Sequence, residues 1–253
     1  MILTMDVGNT NIKTALFDGT EMYKYWRMST NITSTSDEYG VRLTSMFAHE
    51  GVSTDVVDGI VVSSVVPTIN YTLEHMLQNY FGKTPLFVAP GVKTGINIKY
   101  ENPRELGSDR IANAVAAYDE YGGPCIFIDF GTATTFGVID AQRRFVGGLI
   151  IPGVKTSLNA LSQRASQLPS ITIEKPKHMV GRNTLECMQS GILYGTAAMI
   201  DGLLDRLLPT LDGPVHIIAT GGMAKDIVPQ CSHHIELDKY LLLKGLFKAT
   251  HQK

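Results

Sequence analysis

The sequence predicts an α/β protein built from two related halves. Apolar, β-branched runs that suit buried strands alternate with stretches of helical periodicity. A strand–turn–strand pattern with Asp-x-Gly at its turn occurs twice, at Asp6-Val7-Gly8 and at Asp129-Phe130-Gly131, almost half the chain apart. Internal similarity on this scale indicates a duplicated unit rather than a solenoid of short repeats.

The first half opens with the clearest strand signals. Residues 2–17 read as an apolar strand, a turn rich in Gly and Asn, and an alternating, half-buried strand. Residues 59–66 are a continuous β-branched run, which predicts a strand buried on both faces. Residues 90–106 are rich in Gly, Pro, Lys and Asn and predict a loop, and residues 111–121 predict an Ala-rich helix.

The second half begins at Pro124 and repeats the opening pattern. Helical stretches near residues 155–167 and 185–208 follow, and a strand at 215–219 runs into Thr220-Gly221-Gly222. No linker of low complexity separates the halves, so we place the boundary near Gly122. The predicted organisation is therefore an N-terminal half at 1–121 and a C-terminal half at 122–253.

Composition excludes several classes of function. Hydrophobic residues make up 44% of the chain and charged residues 18%, as in a globular protein with a substantial core. The net charge of −2 supplies no basic field for nucleic acid or an anionic membrane. No segment is apolar for long enough to cross a bilayer, and the start lacks a basic leader. Three widely spaced cysteines suggest a reducing compartment, so we expect a cytoplasmic protein.

Both Asp-x-Gly turns have the chemistry of a phosphate-binding loop. Backbone N–H groups in a tight glycine turn can hold a polyphosphate without charge repulsion, and glycine lets the backbone come close. Hydroxyl and amide side chains at Asn9, Thr10 and Thr132 add donors, and an Asp beside the phosphates can hold Mg²⁺ directly or through water. The alternative is that Asp-x-Gly merely closes a hairpin. Two copies at matching positions favour the phosphate interpretation.

The motifs resemble the actin-like (ribonuclease-H-like) ATPase fold that sugar kinases share, and more narrowly the type III pantothenate kinase family. This fold places mixed sheets flanked by helices in each half and the active site in the cleft between the halves. The family resemblance depends on an ordered series of motifs: Asp6-Val7-Gly8-Asn9-Thr10, Tyr100-Glu101-Asn102-Pro103, Gly107-Ser108-Asp109-Arg110, Asp129-Phe130-Gly131-Thr132-Ala133, Gly147-Gly148-Leu149-Ile150-Ile151-Pro152-Gly153, Asn183-Thr184 and Thr220-Gly221-Gly222.

The resemblance implies ATP-dependent phosphorylation of pantothenate to 4'-phosphopantothenate, the first step towards coenzyme A. It also implies a need for Mg²⁺ with ATP, a need for K⁺ or NH₄⁺, and a homodimer. The N-terminal half would carry the first phosphate loop and the acceptor loop, and the C-terminal half the second phosphate loop and the adenosine side. Two alternatives stay open: a kinase of the same fold for another small alcohol or sugar, and a non-catalytic nucleotide-binding regulatory protein.

On the ATP side, the resemblance implies a metal-binding role for Asp6, with Mg²⁺ held directly or through water. Asp129 would bind the monovalent cation, because a carboxylate and loop carbonyls form a hard oxygen site. The implied ATP-binding residues are Asp6, Val7, Gly8, Asn9, Thr10, Asn11, Ile12, Lys13 and Thr132.

On the acceptor side, Asp109 is the candidate general base, and the Arg110 guanidinium would bind the pantothenate carboxylate. The implied substrate-binding residues are Tyr100, Gly107, Ser108, Asp109, Arg110 and Thr184. The structural alternative for Gly107-Ser108-Asp109-Arg110 is a helix start, in which Ser108 or Asp109 caps a helix that begins near Ile111. Tyr100 could instead pack in its loop, and Thr184 could cap the next helix.

Overall fold

The computed structural model describes residues 1–250 and shows a mixed α/β protein with two sheets. Contacts between residues divide the chain into two compact units. The first contains Met1–Ile96, Tyr100–Ala116 and the chain from Leu241 onward, and the second contains Asn97–Lys99 and Ala117–Tyr240. In residues 1–250 no helix is long and apolar enough to cross a membrane.

The first unit contains a five-stranded sheet and the helices that pack on it. Its elements are β1 (Ile2–Val7), β2 (Asn11–Asp18), β3 (Glu21–Ser29), α1 (Ser36–His49), β4 (Gly59–Ser64), α2 (Asn70–Phe81), β5 (Leu86–Phe87), α3 (Ser108–Tyr121, up to Ala116) and α7 (Leu241–Ala249). Short 3-10 helices occupy Thr54–Val56, Pro67–Ile69 and Pro103–Glu105.

The first sheet has the strand order β3-β2-β1-β4-β5. Its central strand β1 runs antiparallel to β2 and parallel to β4, with Asp6 opposite Lys13 on one side and Ser63 on the other. The β-branched residues of β4 are buried, as expected for a strand covered on both faces. This register brings the polar ends of β1 and β4 side by side.

Helices cover both faces of the first sheet. Residues Leu3, Met5 and Val7 of β1 pack into one apolar cluster with α1 and α2. Helix α7 contacts β1, β2 and β4, and Phe247 stacks on Phe17 with ring centroids 4.7 Å apart. The last helix of the described chain therefore completes the core of the first unit.

The second unit contains a six-stranded sheet. Its elements are β6 (Asn97–Ile98), β7 (Cys125–Phe130), β8 (Ala133–Ile139), β9 (Arg144–Pro152), α4 (Val154–Arg164), α5 (Thr184–Leu207), β10 (His216–Gly221), α6 (Ala224–Ile227) and β11 (Glu236–Leu237), with 3-10 helices at Leu208–Thr210 and Val228–Gln230. The strand order is β11-β10-β7-β8-β9-β6, and side chains from α4, α5 and α6 pack on it in one apolar cluster.

The two sheets share one pattern of pairing. In the second, β7 runs antiparallel to β8 and parallel to β10, as β1 runs antiparallel to β2 and parallel to β4 in the first. The predicted fold class of two duplicated halves with mixed sheets is thereby confirmed. The start of α3 was predicted wrongly: the helix begins at Ser108 rather than near Ile111, because the Gly107 carbonyl already accepts hydrogen bonds from Arg110 and Ile111.

Candidate active site

The first Asp-x-Gly loop is a tight hairpin between β1 and β2. The Gly8 N–H donates to the Asn11 carbonyl at 3.1 Å, and a Cβ at Gly8 would lie 3.2 Å from that same oxygen. Thr30, which directly follows β3, fixes the loop, since its Oγ1 donates to the Gly8 carbonyl at 2.6 Å. Asn9 and Thr10 remain exposed at the tip. The hairpin thus presents polar groups on a backbone that is held from two sides.

Asp6 is buried at the end of β1 and forms an ion pair with Lys13. Asp6 is 6% exposed, and its Oδ2 lies 3.1 Å from Lys13 Nζ. Burial raises the pKa of the Asp6 carboxyl, while the charge of Lys13 and its hydrogen bond oppose that rise. A carboxylate kept out of water beside an exposed polar loop is a suitable oxygen donor for a phosphate-bound cation.

The start of α3 is attached to the end of β4. Ser108 Oγ lies 2.8 Å from Ser63 Oγ, accepts from the Ser64 N–H at 3.2 Å and lies 3.3 Å from the Ser64 carbonyl. The Ser108 hydroxyl therefore does not cap its own helix. It ties the first turn of α3 to the strand that adjoins β1.

Asp109 stands in that first turn, partly buried. Burial raises the pKa of its carboxyl, the negative charge of Asp6 raises it further, and a hydrogen bond from the Arg110 N–H opposes the rise. A Cβ at Gly107 would collide with Asp109 Oδ1, so the glycine leaves space for this carboxylate. Asp6 and Asp109 thus belong to the same unit, and the charge of Asp6 acts on the Asp109 carboxyl.

Arg110 and Tyr100 form the next part of the predicted acceptor site. Arg110 is 5% exposed, its Nη1 donates to Tyr100 Oη at 3.4 Å, and its Cζ lies 5.7 Å from the centre of the tyrosine ring. The Tyr100 ring therefore lies in its loop and packs against the Arg110 guanidinium. Together the two side chains present a guanidinium and a phenol at the first turn of α3.

The second Asp-x-Gly loop is also a tight turn between antiparallel strands, one residue shorter than the first. The Gly131 N–H donates to the Ala133 carbonyl at 3.1 Å. The Thr132 carbonyl accepts from the Gly153 N–H at 3.1 Å and from Thr156 Oγ1 at 2.7 Å, which fixes the loop against the start of α4. The Thr132 side chain is exposed. Its hydroxyl is available to a ligand while its carbonyl is held by protein groups.

Asp129 lies at the end of β7, beside the glycine that ends β10. Thr220 is its register partner, and Gly221 has a φ of +94°. A Cβ at Gly221 would lie 2.5 Å from Asp129 Oδ1 and from the Phe130 nitrogen. Only a glycine in this conformation lets the two strand ends approach so closely.

Thr184 is the first residue of α5 and is exposed. The N-cap of this helix is Asn183, whose Oδ1 accepts from the Glu186 N–H at 2.9 Å. The alternative interpretation of Thr184 as the cap is therefore wrong, and its hydroxyl is not required by the helix end.

The predicted site residues are divided between the units. Those near Asp6 and Asp109 belong to the first unit, and Asp129, Thr132 and Thr184 belong to the second. Among residues 1–250, no group of three or more His, Cys, Asp or Glu side chains could hold a metal ion. One or two carboxylates with phosphate oxygens and water are the usual environment of Mg²⁺, so Asp6 fits a metal that arrives with a nucleotide.

Comparison with known proteins identifies the family. The sequence matches the family model described as type III pantothenate kinase over residues 2–206. The chain belongs to the type III pantothenate kinase family. Two relatives named as type III pantothenate kinases, from an Exiguobacterium species and from Halalkalibacterium halodurans, are 48% and 47% identical over 246 residues. These alignments cover 97% of this chain and 96% and 97% of the relatives.

Solved structures show that this family member has the actin-like ATPase and sugar-kinase fold. A Sinorhizobium meliloti protein assigned as a 2-dehydro-3-deoxygalactonokinase gives a TM-score of 0.62 at 11% identity, covering 99% of this chain and 96% of that protein. Component A of the Acidaminococcus fermentans (R)-2-hydroxyglutaryl-CoA dehydratase gives 0.57 at 15% identity, covering 98% and 95%. At such identities the similarity concerns the fold alone.

Sequence reasoning missed the residues that support the pantothenate kinase motifs. Thr30 and Thr156 each donate to a loop carbonyl, and Ser63 contacts Ser108. Each contact joins residues more than 20 positions apart, so no local pattern could reveal it. Gly153 was part of a quoted motif, but its close approach to the Thr132 carbonyl is visible only in the structure.

Proposed function

We propose that this chain is an ATP-dependent pantothenate kinase that forms 4'-phosphopantothenate, the first step of coenzyme A synthesis. The observation that carries the proposal is the placement of two carboxylates: Asp6 lies at the end of β1, and Asp109 follows Ser108, which bonds to Ser63, the register partner of Asp6 on β4. Membership of the type III family over nearly the whole chain supports the choice of acceptor.

The proposed role of the first loop is to hold the ATP phosphates. The backbone N–H groups of Asn9 and Thr10 would hold the phosphates, and Gly8, whose own N–H bonds to the Asn11 carbonyl, would keep the turn tight. Lys13 balances the charge of Asp6. Asp6 holds Mg²⁺ directly or through water, and the bound ion would neutralise charge on the transferring phosphoryl group. Val7, Asn11 and Ile12 form the strand ends that set the width of the hairpin.

The proposed role of Asp109 is to accept the proton of the pantothenate hydroxyl as its oxygen attacks phosphorus. Its raised pKa makes it a stronger base than an exposed carboxylate, and it must be ionised to act. Arg110 binds the pantothenate carboxylate, and Tyr100 and Thr184 contribute hydroxyl groups. Because protein groups occupy the Ser108 hydroxyl, Ser108 and Gly107 would contact the substrate through their backbone.

In the second unit, Asp129 is the proposed ligand of K⁺ or NH₄⁺, and the Thr132 hydroxyl the proposed phosphate contact. In this role the carboxylate and backbone carbonyls of the second loop would supply the hard oxygen donors that such a cation prefers. The exposed position of Thr132 supports its role, since its side chain has no competing partner in the loop core.

A cytoplasmic homodimer is the proposed working form. Large apolar side chains are exposed on the second unit, among them Ile150, Met179 and Val180 at 64%, 70% and 83%. Exposed apolar side chains of this size are typical of surfaces that associate. Analytical ultracentrifugation at micromolar concentration would show a dimer, and a concentration-independent monomer would contradict the proposal.

The central experiment is a coupled assay with purified protein, ATP, Mg²⁺, K⁺ and pantothenate. We expect phosphopantothenate, identified by mass, at a rate that falls when Na⁺ replaces K⁺. A panel of sugars and small alcohols is assayed in parallel. Phosphorylation of a panel member without phosphorylation of pantothenate would refute pantothenate as the acceptor. ATP hydrolysis with no phosphorylated product would instead indicate a nucleotide-gated regulator.

A further inference from the structure

Ser63 is buried at the end of β4 and has no role in the functions assigned so far. It is fully buried, and its Oγ lies 2.8 Å from Ser108 Oγ in the first turn of α3. A buried hydroxyl at the end of a central strand costs free energy unless a partner compensates its desolvation. Ser108 supplies that partner from 45 residues along the chain.

The hydrogen bonds around Ser108 are compatible with Ser63 as the donor. Ser108 Oγ accepts from the Ser64 N–H and is 3.3 Å from the Ser64 carbonyl, to which it can donate its proton. If that proton goes to the carbonyl, the bond with Ser63 requires Ser63 to donate. Ser108 Oγ then makes three bonds, its full capacity, all to the end of β4. The first turn of α3 is fixed in position by these bonds.

This attachment bears directly on the two carboxylates. Ser63 and Asp6 are register partners on adjacent parallel strands, so their side chains project from the same face of the sheet. Asp109 follows Ser108 in the chain, and the charge of Asp6 acts on its carboxyl. The Ser63–Ser108 bond thus sets where Asp109 stands relative to the strand that carries Asp6.

We propose that Ser63 is a positioning residue for phosphoryl transfer, which acts through Ser108 to hold Asp109 beside Asp6. The inference rests on the proposed function, because it assumes that Asp109 is the base. Ser63 does not touch either substrate. A base displaced by about 1 Å can lose about a hundredfold in rate, so one bond that sets its position has a large effect on turnover.

The test compares Ser63→Thr with Ser63→Val. Threonine and valine are both branched at Cβ and have nearly the same shape, and only threonine keeps the hydroxyl. We expect Ser63→Thr to retain kcat within about threefold and Ser63→Val to lose about 10- to 100-fold, with the KM for ATP unchanged in both. Ser63→Ala, which adds no methyl group, should behave as the valine variant does.

A double-mutant cycle separates positioning from general destabilisation. In a Ser108→Ala background the Thr and Val variants at residue 63 should have the same kcat, because the hydroxyl has lost its partner. Thr4→Val is the control: it removes a buried hydroxyl of the same sheet, which donates to the Ala15 carbonyl at 3.3 Å, and should lower stability without lowering kcat. Equal kcat for Ser63→Thr and Ser63→Val in the parent, or an undiminished difference in the Ser108→Ala background, would overturn the inference.

A failure of the proposed function can be distinguished from a failure of the positioning role. If the parent protein turns over no pantothenate, or if Asp109→Asn is as active as the parent, the function or the base is wrong, whatever Ser63 does. If the parent is active and depends on Asp109, but Ser63→Thr and Ser63→Val have the same kcat, the positioning role alone is wrong.

Discussion

Lys13 Nζ lies 3.1 Å from Asp6 Oδ2, across the hairpin that joins β1 to β2. The two residues are register partners, so the hairpin itself places the ammonium beside the carboxylate. Burial favours the protonated form of Asp6, and Lys13 opposes this effect. The ion pair therefore favours the ionised form of Asp6, which is the form that can bind a cation.

Lys13→Met should raise the pKa of Asp6 further and weaken the use of MgATP. The Lys13 side chain is 36% exposed, so solvent screens the pair, and we expect the free energy of unfolding to fall by only about 1 kcal/mol. The KM for MgATP should rise more than the KM for pantothenate. Lys24→Met is the control, because it breaks an exposed ion pair with Glu50, and neither residue is assigned to the proposed site. A normal KM for MgATP in Lys13→Met would contradict the role of the pair.

Asp109→Asn should keep the fold and lose most activity. The substitution preserves shape but removes the group that accepts the proton, and general bases contribute roughly 10²- to 10⁴-fold to rate. Circular dichroism and thermal unfolding check the fold, and steady-state kinetics measure kcat. Asp18→Asn provides the same change at an exposed position of the first unit and should be neutral. A kcat near that of the parent in Asp109→Asn would remove Asp109 from the mechanism.

The raised pKa of Asp109 predicts opposite effects of pH on activity and stability. The base must be ionised, so kcat/KM should fall as pH drops through a value above the ordinary 3.8. The pKa of Asp109 is higher in the folded chain than in the unfolded chain, where it is near 3.8. As pH rises from 3.8 towards the folded-state pKa, the unfolded chain loses the Asp109 proton first, and the free energy of unfolding therefore falls. Urea unfolding of the parent and Asp109→Asn at several pH values isolates the effect. The variant should gain stability relative to the parent as pH rises.

Local features of the site were predictable from the sequence, and long-range contacts were not. The Asp6 and Asp129 turns follow from alternation and turn composition within a few residues. The packing of α7 on β1 depends on tertiary contacts that no local pattern encodes. The start of α3 was misplaced because its first turn contains Ser108 and Asp109, which the sequence suggests as caps, whereas the Ser108 hydroxyl bonds to β4.

The three cysteines should differ sharply in reactivity. Burial raises the pKa of Cys125 to about 12, and burial with the charge of Asp201 raises that of Cys231 to about 12. Cys187 is exposed. Because the thiolate is the reactive form, a thiol reagent at about pH 8 should modify one cysteine rapidly in the native protein and all three in denaturant. Cys187→Ser should abolish the rapid phase, and a rapid phase that persists would show that a buried thiol is accessible.

Gly221→Ala should disturb the site of the monovalent cation. The residue has a φ of +94°, and a Cβ there would lie 2.5 Å from Asp129 Oδ1, so the substitution strains the backbone and displaces the carboxylate. We expect a loss of about 1–3 kcal/mol in the free energy of unfolding and a weaker response of kcat to K⁺ over Na⁺. Gly222→Ala is the matched control, because a Cβ at that neighbouring position meets no atom within 4 Å. If both variants respond to K⁺ as the parent does, Asp129 is not the cation ligand; if both lose the response, the loss is not specific to the contact between Gly221 and Asp129.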